Sequence, residues 1–297
     1  MLLVSQMLHC RPTILPFFGH QALRCLAAPV LSILAVASVA AGGEQVPAPV
    51  NVLNNNLNTE VNNDSKNDSK DDSKNGLKND LNAPPAIVIG FMGGKVAHDD
   101  AVRNELIISN RLRTAYPHGV YFEVFENRRL EDAHRKILQL LGAAPSHALS
   151  EEQKRKARII LYGHSWGAST VVALADALQK EGVPVLLTIQ VDSVEKRGQD
   201  DGVIPPNVAR AINFYQPDGM LHGRTEIHAV DSARTQILGN FRFTYKDAPQ
   251  ECRLYPWYER VFIKTHIAIE CDPVLWKRIE TLVRETLGQA GEESATR

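Results

Sequence analysis

The sequence lacks a surplus of either charge. Its 33 Lys and Arg stand against 34 Asp and Glu, a formal net charge of -1, so neither nucleic acid nor an anionic membrane is expected as the main partner. Walker-type phosphate loops, a His-Glu-x-x-His pair and Cys-x-x-Cys spacing are all missing. Nucleotide and metal chemistry therefore find no support, and no cofactor is expected. Cysteine is scarce: of Cys10, Cys25, Cys252 and Cys271, only the last two lie beyond the apolar N-terminal run. That run ends short of the ~20 residues needed to cross a bilayer comfortably.

What is present falls into three parts. Residues 1–41 read as an export signal, with Arg11 and Arg24 ahead of an apolar stretch from Cys25 to Ala41 and small residues at Ser38, Ala40, Gly42 and Gly43. A secreted or periplasmic product follows from cleavage there, with no stable membrane span afterwards; an uncleaved anchor is the alternative. Residues 42–83 are rich in Asn, Asp, Lys and Ser and repeat Asn-Asp-Ser-Lys at 63–66 and 67–70. So few apolar groups cannot offset the entropy of ordering, so a flexible linker is expected. Cys252 and Cys271 are natural disulfide partners in an exported chain.

From Pro84 onward, β-branched runs alternate with helical patterns, the mark of a mostly parallel sheet with helices on both faces. Strands are expected at 86–90, 120–124, 157–162, 185–191 and 209–215, and a strand-like run at 260–264. Helices are expected near 101–115, 128–141, 167–181 and 273–288. Residues 84–297 then form one α/β domain.

The strongest motif is Gly163-His164-Ser165-Trp166-Gly167, between the apolar run at 157–162 and a helix that turns Val171, Val172, Leu174, Ala175 and Leu178 inward. Gly-x-Ser-x-Gly on a strand–turn–helix is a nucleophile elbow: the serine stands on a sharp, strained turn, and glycines two positions either side let the helix fold back on the strand. The helix N-terminus and the Trp166 amide then face a developing oxyanion.

With that elbow on a βα-alternating chain, residues 84–297 resemble the α/β-hydrolase fold, in particular a small serine lipase, esterase or thioesterase. The resemblance implies a triad in the chain order Ser, Asp or Glu, His. Ser165 is then the nucleophile, with His266 as base ahead of His222 and His228. Asp192, directly after the strand 185–191, is the preferred acid; Asp218 and Asp231 remain open. The glycine-rich Gly90-Phe91-Met92-Gly93-Gly94 stands where the family keeps its second oxyanion amide. It lacks the family's His-Gly pair, and the donor is Phe91 or, by preference, Met92. The implied activity is cleavage of a small-molecule or lipid ester or thioester through an acyl enzyme. The alternatives are an acyltransferase using the same serine, or a catalytically silent hydrolase-fold binding protein.

Overall fold

The computed structural model describes residues 84–144 and 148–295. The segments expected to be an export signal and a linker, residues 1–83, lie outside the described residues. Among the described residues there are eight strands: β1 (Ala86–Met92), β2 (Val120–Glu126), β3 (Ile159–His164), β4 (Val185–Val191), β5 (Val203–Ile204), β6 (Val208–Tyr215), β7 (His228–Ala229) and β8 (Gln236–Arg242). The helices are α1 (Asn104–Ala115), α2 (Leu130–Leu140), α3 (Glu151–Arg155), α4 (Trp166–Lys180), α5 (Trp257–Phe262), α6 (Lys264–Glu270) and α7 (Pro273–Ala295), with a 3-10 turn at Gln250–Leu254. Among the described residues, no helix is long and apolar enough to cross a membrane.

Six strands form one sheet in the order β2-β1-β3-β4-β6-β8, and every neighbouring pair is parallel. Alternating side chains of the central strands feed two cores. Ile87, Ile89, Phe91, Ile159 and Leu161 pack against α2 and α4 through Ala133, Ile137, Val171 and Leu174. Val88, Ile160 and Tyr162 face the other way, toward Ile108 and Leu112 of α1 and Trp276, Ile279 and Val283 of α7. Because β1 and β3 are buried on both faces, they read as nearly continuous apolar runs. The fold is thus α/β with helices on both faces, as expected.

The chain runs outward from β1 to β2, returns across β1 to β3, and then proceeds the other way. The direction of the chain therefore switches between β1 and β3, and sheets of this kind bind ligands at the carboxyl ends of the strands beside such a switch point.

Two expectations are corrected. The run Arg260–Lys264 is not a strand: α5 ends at Phe262 and α6 begins at Lys264. The place beside β6 is taken by β8. His266 consequently sits on the short helix α6 rather than in a loop. The strand β8 itself was not expected. It is a half-buried edge strand containing Gly239, with a register shift against β6 at Ala211/Ile212, and such strands carry a weak pattern.

Candidate active site

Ser165 stands between the last residue of β3 and the first of α4, with φ 56° and ψ -125°. A non-glycine residue in that region costs on the order of 1–3 kcal/mol and persists only where its surroundings impose it. Here they do. A Cβ on Gly163 would lie 2.6 Å from the Gly167 carbonyl carbon, and one on Gly167 would lie 2.2 Å from the Phe91 carbonyl oxygen. The Ser165 amide donates to the Val191 carbonyl at 2.9 Å, tying the turn to the neighbouring strand.

Asp192 directly follows β4, also at positive φ (44°), and is fully buried. Its Oδ1 accepts from the amides of Gly223 (2.7 Å) and Gln216 (3.1 Å); its Oδ2 accepts from Gln216 Nε2 (2.9 Å) and faces His266 Nδ1 at 2.6 Å. A carboxylate in that position fixes the imidazole tautomer with its proton on Nδ1, leaving Nε2 to accept one. Of the three candidate acids, the structure brings Asp192 to His266. Asp218 offers only its backbone carbonyl to Thr265 on α6 (2.6 Å), and Asp231 caps its own turn by accepting from the Ala233 amide at 2.9 Å. His222 and His228 are exposed.

The loop after β1 closes over the elbow. Met92 ends the strand, fully buried, and its carbonyl accepts from Asn127 Nδ2 at 3.1 Å; the same amide donates to the Gly94 carbonyl. A Cβ on Gly93 would come within 3.3 Å of the Ser165 Cβ and 2.9 Å of His164 Nδ1, so this loop passes directly beside the serine. Trp166, the first residue of α4, is partly exposed. Asn127 is a positioning residue that the sequence alone did not single out.

Behind the pair lies a buried cluster that was also not foreseen. The His164 ring stacks on His266 with centroids 4.5 Å apart, and its Nδ1 is 3.4 Å from Glu270 Oε2. Arg103 donates Nη1 to both oxygens of Glu270 (3.0 and 3.1 Å) and Nη2 to both oxygens of Glu259 (3.0 and 2.9 Å). Glu105 is fully buried, its carboxyl facing the backbone of Gly93. Burial, reinforced by the charge of Glu270, holds the Glu105 carboxyl above the usual carboxylate range; burial does the same to Glu270 against the pull of Arg103. Burial first, then His266 and Arg103, push His164 well below the ordinary histidine value, so it is neutral.

Two donor sets here are close enough to hold a metal ion: His164, Asp192 and His266, and Glu105, His164 and Glu270. The first is committed to the Asp192–His266 hydrogen bond. In the second, the Arg103 guanidinium already supplies Glu270 with its positive partner. Both sets are therefore read as proton and hydrogen-bond chemistry.

No protein-family model and no curated protein matches the sequence. Among solved structures, the chain is similar to a protein described as a hydrolase of the alpha/beta superfamily from Xanthomonas campestris pv. campestris, at TM-score 0.28 and 14% identity over 62% of this chain and 96% of that one. It is also similar to a dienelactone hydrolase-like promiscuous phosphotriesterase from metagenomic libraries, at TM-score 0.32 and 14% identity over 69% and 87%. A third is RedJ, at TM-score 0.29 and 11% identity over 62% and 93%. Likeness at this level assigns no chemistry or substrate; the fold class rests on the sheet and its helices.

Proposed function

We propose that the chain is a serine hydrolase acting on carboxylic esters or thioesters, with Ser165 as nucleophile, His266 as general base and Asp192 as the acid that orients it. The observation carrying this reading is the 2.6 Å His266–Asp192 contact, together with a serine held at positive φ on a Gly-x-Ser-x-Gly elbow whose amide bonds the carbonyl of Val191, next to Asp192. His266 Nε2 takes the Ser165 proton as Oγ attacks the acyl carbon, and the Asp192 carboxylate stabilises the imidazolium. The Trp166 amide at the N-terminus of α4, with the Met92 amide at the end of β1, receives the oxyanion; loss of one such donor typically costs ~10²–10³ in rate. His266 returns the proton to the leaving group, and water attacks the acyl enzyme by the same route.

The test is intact-mass labelling of the folded protein with a fluorophosphonate. A single adduct in the wild type that disappears in Ser165→Ala supports the reading. No adduct on a folded wild type overturns it and favours a silent binding protein. The disulfide-distance pair Cys252 and Cys271, with Cα atoms 5.3 Å apart, fits the secreted or periplasmic setting that we also propose.

A further inference from the structure

The helix α5 is turned inside out. At 3.6 residues per turn, Trp257, Tyr258, Val261 and Phe262 share one face, and that face points to solvent. Their exposures are 64%, 51%, 63% and 65%, and Leu254 just upstream is 69% exposed. The acidic residue points inward instead: Glu259 is bonded through both oxygens to the buried Arg103. Soluble helices normally do the reverse. The arrangement is anchored on both flanks, by the Arg103–Glu259 pair and by the approach of Cys252 to Cys271.

Cations flank this face along the chain. Arg253, Arg260 and Lys264 line a cavity of about 230 Å³ floored by Pro249 and Ile267. None of the three forms an ion pair among the described residues. With Glu259 turned inward, the exposed charged side chains of residues 246–264 are the cations Lys246, Arg253, Arg260 and Lys264 against the acids Asp247 and Glu251. The near-neutral chain thus carries a local basic excess next to the most exposed aromatic residues among those described.

We propose that this face docks on an anionic lipid–water interface, with Trp257, Tyr258, Val261 and Phe262 entering the headgroup boundary and lipid phosphates engaging Arg253, Arg260 and Lys264. Aromatic rings with one polar edge favour that boundary, and a cationic rim draws them to anionic lipid. Two copies meeting symmetrically through the same face would set their cationic rims against each other. The inference does not depend on turnover. Since α5 leads directly into α6, which carries His266, docking also brings the site to acyl esters held in the interface.

The test uses the full chain and vesicles of phosphatidylcholine, alone or mixed with phosphatidylglycerol, in which brominated acyl chains quench tryptophan that enters the boundary. Quenching is expected with the mixed vesicles, weakened by high salt. It should fall to a small residue in Trp257→Phe, which keeps the apolar face but removes the reporter. Arg253→Gln/Arg260→Gln/Lys264→Gln should weaken partitioning to anionic vesicles by about tenfold or more. Ser165→Ala should bind like the wild type, so failure of the hydrolase reading leaves this result standing. Absence of quenching overturns the proposal, as does equal quenching in wild type and Trp257→Phe. Concentration-dependent dimerisation abolished by Trp257→Ser/Phe262→Ser would also overturn it and make the face a contact between copies.

Discussion

Asp192 receives four polar contacts while fully buried, and two of them come from backbone amides that no side-chain substitution can remove. Such a constellation holds a carboxylate ready to be read by one partner, His266. Asp192→Asn keeps the shape but favours the wrong imidazole tautomer, and in triads of this kind the loss in kcat is ~10⁴. Asp218→Asn leaves the hydrogen bond to His266 intact and should retain nearly full activity toward a chromogenic short-chain ester. The reverse pattern would move the acid to Asp218. A second residue-scale effect comes from Glu105. In the unfolded chain it titrates near 4.5, whereas burial raises it in the fold. As pH rises above 4.5, the unfolded chain releases its proton first, and stability declines until the folded carboxyl ionises as well. His164 acts on the other side: lowered in the fold, it leaves the unfolded chain to gain a proton below about 6.5, so stability declines as pH falls. Glu105→Gln should remove the decline of Tm that sets in as pH rises above 4.5 and is complete near pH 8, and leave the loss that His164 causes as pH falls below 6.5 in place; an unaltered profile would contradict this account of the cluster.

At the scale of the element, the elbow depends on how closely β1, β3 and α4 approach. An alanine at 167 must displace the backbone carbonyls of Phe91 and Met92, which lie 2.2 and 2.8 Å from its Cβ. Overpacking against backbone costs about 1–3 kcal/mol or more, so Gly167→Ala should lower Tm and suppress fluorophosphonate labelling together. Gly288→Ala, on α7 with nothing within 4 Å, should instead raise stability by about 0.5–1 kcal/mol through helix propensity. Thermal melts of the two variants separate space from conformational freedom. The same elements show what was legible beforehand. The strand at 185–191 and the positions of Ser165 and Asp192 could be read because buried parallel strands are apolar throughout and their ends mark the sheet's carboxyl edge. The helices α5 and α6 could not, because an inverted helix with its apolar residues outward has the same short apolar run as a strand. Nor could the Arg103–Glu270 pair, whose partners are 167 residues apart and meet only through the fold.

For the whole molecule, the parts proposed for catalysis are gathered from distant stretches to one sheet edge: Met92 at the end of β1, the elbow after β3, Asp192 after β4 and His266, the proposed base, on α6. The first three are fixed by strands of the central sheet. The base is not. α6 is a seven-residue helix reached after a 3-10 turn and the exposed α5, with its own small apolar cluster of Cys252, Tyr255, Ile267 and Cys271. Its attachment to the body relies on the Arg103 ion pairs and on Cys252–Cys271, separated by 19 residues in the chain. Closing a loop of that size contributes about 3 kcal/mol in the chain-entropy account, which for a domain of this length corresponds to a fall in Tm of roughly 6–12 °C on reduction. Because the constraint bears on the segment carrying His266, its loss should be felt there before the sheet unfolds. In dithiothreitol, or in Cys252→Ser/Cys271→Ser, the rate of fluorophosphonate labelling is expected to drop at temperatures where far-ultraviolet circular dichroism is still native. Labelling that declines only in step with global unfolding would mean that Arg103 alone suffices to hold the base in place.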